Sequence, residues 1–153
     1  MGGYRSKLVW AMLVVAMLAA PATAQDDTSR LLADLASKHS SSLAVFHASL
    51  NDELGSRPLV GPAVCISTNP AVFISLALDA TVNPEQLSDF RLTPATQPKV
   101  ELKAELLGID PETGITFIRS TEEHPWTAVQ FARSSGLAVG QKVASVGLFP
   151  ADT

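Results

Sequence analysis

The chain has 153 residues, and its 15 acids against 11 lysines and arginines give a formal net charge of −4. That length suits one domain and is too short for two, and an acidic balance argues against nucleic acid, whose phosphates require a basic face. A composition of 46% apolar and 17% charged residues is that of a globular chain, not a disordered one, and a single cysteine excludes a disulfide framework within the chain.

The amino terminus reads as a secretory signal peptide over residues 1–24. Arg5 and Lys7 supply positive charge, residues 8–20 are an unbroken apolar run, Pro21 stops it, and Ala22-Thr23-Ala24 offers small residues for cleavage. The apolar run has 13 residues, whereas a membrane-spanning helix needs about 20, so cleavage is expected in place of anchoring. No cysteine follows the run, so no lipid anchor is expected. The mature chain then starts near Gln25 with nine cations against 15 acids, and it works outside the cytoplasm, secreted or periplasmic, with no stable membrane span after cleavage.

Residues 25–41 form a helix and linker. Leu31, Leu32 and Leu35 stand at helical spacing, Asp27 or Thr28 can cap the free amides, and Ser40-Ser41-Ser42 breaks the pattern. From Leu43 the chain reads as strands. Residues 43–48, 63–67 and 71–76 are short runs rich in β-branched and aromatic side chains, with a polar loop over residues 51–58 and a turn at Thr68-Asn69-Pro70 between them. Residues 90–93 suggest a fourth strand. Residues 100–106 place Val100, Leu102, Ala104 and Leu106 on one side and Glu101, Lys103 and Glu105 on the other, a period of two that outweighs their helix propensity. Asp110-Pro111-Glu112-Thr113-Gly114 is a reverse turn leading into residues 115–118, which makes a hairpin. Residues 129–131 and 143–146 complete a set of about seven short strands, the pattern of an all-β barrel or sandwich.

Three stretches carry a resemblance: Gly61 to Ser67 with Asn69-Pro70 and Val72 to Ala77; Leu107 to Ile118; and Ala138 to Pro150. Together they resemble the amino-terminal barrel of HtrA-type trypsin-like serine proteases, over roughly residues 42–150. The resemblance implies a single six-stranded barrel, half of the two-barrel protease fold. It also implies where catalytic groups would stand. The family's general-base histidine falls on Leu78, and the aspartate that orients it falls on Gly114. Neither side chain accepts a proton, so neither can activate a serine hydroxyl. Asp79, next to the first position, points in another direction and cannot simply substitute. The serine belongs to a second barrel, which the chain as given does not reach. The expectation is therefore a chain with no catalytic residue of its own.

Other candidates read as structural. His47 is a strand-face histidine, His39 a solvated helix end, and His124 lies in the loop Glu122-Glu123-His124-Pro125-Trp126, where no ligand set of known spacing points to a metal. Cys65 sits in an apolar stretch and reads as a buried inert thiol; a dyad with His47 would need adjacent strands to pair them, and the apolar setting would raise the thiol pKa. Gly136 to Gly140 lacks the third glycine of a dinucleotide fingerprint, so no cofactor is expected. Trp126 reads as a cover over one barrel end. Three functions stay open: an exported inactive relative of the protease barrel acting by binding or as a structural module, the front piece of a longer protease, and an unrelated exported β-domain. A lone barrel would leave exposed the side that packs on the second one, so a protein or peptide partner, or self-association, is expected near Leu76, Leu78 and the chain end.

Overall fold

The structure is a computed structural model that describes residues 22–148 except Asp79, with side chains described from Thr28 onward, Ser134 excepted. Most of the expected signal peptide, residues 1–21, lies outside the described residues. Two compact units divide the chain, one ending at Leu35 and the other beginning at Ala36. Helix α1 spans Ala22–His39 and so runs through Asp27 and Thr28, the residues expected to cap it. Ala22, Ala24 and Gln25 are good helix formers, and nothing before Ser40 interrupts them. Among the described residues no helix is long and apolar enough to cross a membrane.

Six strands follow: β1 Leu43–Asp52, β2 Gly55–Thr68, β3 Ala71–Ser75, β4 Leu87–Pro94, β5 Leu102–Ile109 and β6 Thr116–Ser120. They form a closed antiparallel barrel in the order β1-β2-β3-β6-β5-β4, with β4 returning to β1. The outcome is a barrel, not a sandwich. The polar stretch at residues 51–58 is not a loop: Asp52 pairs with Gly55, and the β1–β2 ladder continues through it. Gly55, at a φ of 116°, lets the chain reverse in two residues, and the Leu54 amide donates to the Asp52 carboxylate, 2.9 Å.

Alternation sets the core. Ala44, Phe46, Ala48 and Leu50 of β1 point inward, as do Ala63 and Cys65 of β2, Phe73 of β3, Leu92 of β4, Leu102 of β5 and Ile118 of β6. In β5 the predicted inward row of Leu102, Ala104 and Leu106 holds until a bulge between Leu106 and Gly108. Leu107 stays exposed, and the bulge pairs Gly108 with the outward Phe117 and so puts Ile109 against the core. On the outside, the cross-strand pair Glu105 and Arg119 forms an ion pair, and Arg91 pairs with Glu101 at 2.6 Å. Such exposed pairs add little stability.

Residues 129–131 and 143–146 are not strands. The six-stranded barrel is already closed and offers them no free edge. Val129 makes one ladder-like bond, its amide donating to the Cys65 carbonyl at 2.9 Å, beside the irregularity in β2–β3 pairing between Cys65 and Ser67. Before it, the Thr127 amide donates to the Ser41 carbonyl and the Ser41 hydroxyl to Thr127 Oγ1. Trp126 is 8% exposed and packs edge-on against Phe73 with ring centroids 4.7 Å apart. It therefore covers the core, as its size suggested, although its indole N–H has no partner among the described residues.

Candidate functional site

The site positions given by the family resemblance lie where β3 runs out and the β5–β6 hairpin turns. Ser75 ends β3, and its buried hydroxyl donates to the Pro62 carbonyl at 2.8 Å and accepts from the Ala77 amide at 3.1 Å. These bonds fold the chain after β3 back over β2. The approach is close: a Cβ on Gly61 would lie 2.4 Å from the Ala77 Cβ, a distance real side chains do not tolerate. Gly61 is thus required by packing, and it sets the path that brings Leu78 into the core at 4% exposure.

Across from it, Asp110 organises the hairpin turn. Its carboxylate accepts from the Thr113 hydroxyl and the Glu112 amide, and its carbonyl accepts from the Gly114 amide at 2.8 Å. The Thr113 hydroxyl, and after it the Glu112 amide, hold the Asp110 carboxyl below its ordinary pKa. Gly114 takes a φ of 71°, the left-handed region that suits glycine. A Cβ built there would stand 3.7 Å from the Ala80 amide nitrogen and 3.8 Å from the Leu78 carbonyl oxygen. Leu78 and Gly114 therefore converge at one end of the barrel. The polar groups beside them are occupied or isolated: the Ser75 proton is committed to Pro62, and Thr116, paired with Ser75 across β3–β6, has a buried hydroxyl with no partner among the described residues. Asp79 lies outside the described residues.

The remaining candidates are held apart. Cys65 is fully buried inside the barrel and its thiol donates to the Ser67 carbonyl at 3.1 Å. Burial pushes the thiol pKa up, against a smaller opposing effect of that bond. His47 pairs with Val60 on β2, five residues from Cys65, and faces outward, so strand pairing creates no thiol–imidazole dyad. Instead His47 Nε2 shares a hydrogen bond of 3.2 Å with Thr93 Oγ1. Burial lowers its pKa; the Glu101 charge opposes this and the Arg91 charge adds to it. Glu101 directs its carboxylate to Arg91, so the acid and the hydroxyl near His47 do not complete a relay. The His124 ring lies tilted against Trp126 with centroids 4.4 Å apart, and burial lowers its pKa too. It borders an open groove of about 590 Å³ with a mixed lining that includes Asn69, Pro70, Glu122 and Glu123. Among the described residues no three His, Cys, Asp or Glu side chains gather as a metal-ligand set.

A second depression, about 220 Å³, is lined by Pro62, Val64, Ile74, Ser75, Leu76 and Ile115. It lies on the outer surface of β2 and β3, next to the Leu78–Gly114 end. The sequence carried a signal for it: residues 63–66 and 71–74 are apolar at nearly every position, so they are apolar on both faces of their strands and not on the inner one alone. Models of known protein families and curated proteins give no match to this chain.

Proposed function

We propose that this chain is an exported, catalytically inactive relative of HtrA-type trypsin-like serine proteases that acts as a binding or structural module. The reading is supported by a closed six-stranded antiparallel barrel, by the aspartate-proline hairpin between β5 and β6, and by a β3 strand that ends just before Leu78. The observation that carries it is the meeting of Leu78 and Gly114 at one barrel end. Those are the two places from which an imidazole and a carboxylate would work in concert. A methyl-bearing side chain and a hydrogen atom stand there, and neither takes a proton from a nucleophile. With acid–base chemistry gone, what the barrel retains is surface, and the apolar depression over β2 and β3 is the face suited to a protein or peptide partner. Export, to the periplasm or the medium, follows from the leader pattern of residues 1–24.

The test is proteolysis. Purified protein, its amino terminus read by mass spectrometry, is incubated with casein with and without a serine-reactive inhibitor. No inhibitor-sensitive cleavage is expected, and the amino terminus is expected near Gln25. Inhibitor-sensitive cleavage would overturn the inactive reading, and an intact leader would overturn export.

A further inference from the structure

Two apolar surfaces of this chain lie open at once. The first is the outer face of the barrel, where Val64, Ile74 and Phe117 stand in one cross-strand row over β2, β3 and β6, and where Leu76, 73% exposed, rims the 220 Å³ depression. The second is the segment after Gly136. Leu137, Val139 and Val143 are largely exposed there, Val143 at 82%, and residues 142–148 form no backbone hydrogen bond with the described residues. The segment has the composition of a strand, but the closed barrel has no edge to receive it. Its one charge, Lys142, is positive on a chain of net negative charge, so approach to another copy is favoured locally and not opposed. In its own copy the segment leaves the barrel after the Val129–Cys65 bond; residues 137–145 are exposed, and Val146 and Leu148 are half-buried.

We infer that the occupant of the apolar face is a second copy of this chain, whose segment 137–148 lies across Val64, Ile74 and Leu76 while its own face receives the first copy's segment. Exchange covers both open surfaces of both copies with one two-fold contact. This rests on the reading of the chain as a binding module and names its partner.

The experiment is sedimentation of the purified protein over a range of concentrations, with Leu76→Asp and Val143→Asp variants. Both residues are exposed and outside any strand, so neither change should affect folding, and circular dichroism checks this. The parent protein is expected to dimerise, and each variant to weaken the dimer by about 100- to 10,000-fold, the equivalent of one buried aliphatic side chain lost at each of the two contacts. An equimolar mixture of the two variants keeps one intact contact, and it is expected to associate more tightly than either variant alone. A monomeric parent protein overturns the inference. So does a Val143→Asp protein that dimerises like the parent, or a mixture no tighter than its components. These outcomes are separate from the casein assay: a monomer that leaves casein intact and binds an apolar dye, with Leu76→Asp abolishing the dye signal, removes self-exchange and leaves a binding face, whereas cleavage removes the inactive reading whatever the oligomeric state.

Discussion

The barrel wall from β1 to β3 and the trailing segment beyond Gly136 are built from much the same residues, chiefly valine, alanine, leucine and serine. Their outcomes are opposite. Ala44, Phe46, Ala63 and Phe73 are wholly buried, while Val139 and Val143 are among the most exposed side chains described. Apolar, β-branched sequence is therefore not sufficient for a strand. A strand also needs a neighbour whose backbone groups are still unpaired, and closure of the barrel by β4 against β1 uses them up.

The contrast predicts unequal responses to substitution. Phe73→Ala should have the largest effect, about 3–5 kcal/mol of stability lost, because it opens a cavity in the centre of the barrel and removes the ring on which Trp126 rests. Urea unfolding measures it, and a loss below about 1 kcal/mol would mean that the core collapses around the gap. Gly61→Ala should come next, at about 1–3 kcal/mol, since the new methyl must displace Ala77. The same unfolding assay reads it, and a neutral result would show that residues 76–78 move freely from β2.

His47 should give a smaller and pH-dependent effect. Burial holds its pKa below the ordinary 6.5, so the unfolded chain takes the proton more readily. The stability held by the neutral ring is complete above the unfolded value and falls as pH drops through it toward the lower folded value. His47→Gln should therefore flatten part of the decline in melting temperature between about pH 7 and pH 5. A slope remains from His124, whose pKa is shifted the same way, and an unchanged slope would assign the whole effect elsewhere. Val143→Ala should be the mildest, within about 0.5 kcal/mol when measured on monomer at high dilution, because the side chain is largely exposed. A larger loss would place the segment back against its own barrel.

Much of the fold was legible in the sequence because alternation and turn chemistry are local. The β5 row of Leu102, Ala104 and Leu106, the turn from Asp110 to Gly114, and the covering role of Trp126 all follow from residue type and spacing. The errors arose where the deciding partner was distant. Residues 51–58 look like a loop because they are polar, yet they extend a hairpin whose rungs are supplied by β1. Residues 129–131 and 143–146 look like strands, yet the barrel is full before they arrive. The helix start was misplaced because Asp27 and Thr28 are good caps but Ala22 to Gln25 already favour helix, and local signals of similar strength compete there.

The candidate site divides in the same way. The sequence by itself determined that Leu78 and Gly114, the positions on which the proposed resemblance places a general base and its orienting acid, carry no group that accepts a proton, because chemical capacity is a property of the side chain alone. It also determined that the chain is acidic and has one thiol. Tertiary structure alone decided that those two positions meet, since they lie 36 residues apart and are joined only by the folding-back of the chain over Gly61 and the left-handed turn at Gly114. It likewise decided that His47 turns to Thr93 and away from Cys65, and that the apolar outer face of β2 and β3 is left uncovered by the described residues. Proximity between residues distant in sequence comes from strand register and barrel closure, which no local pattern of residues encodes.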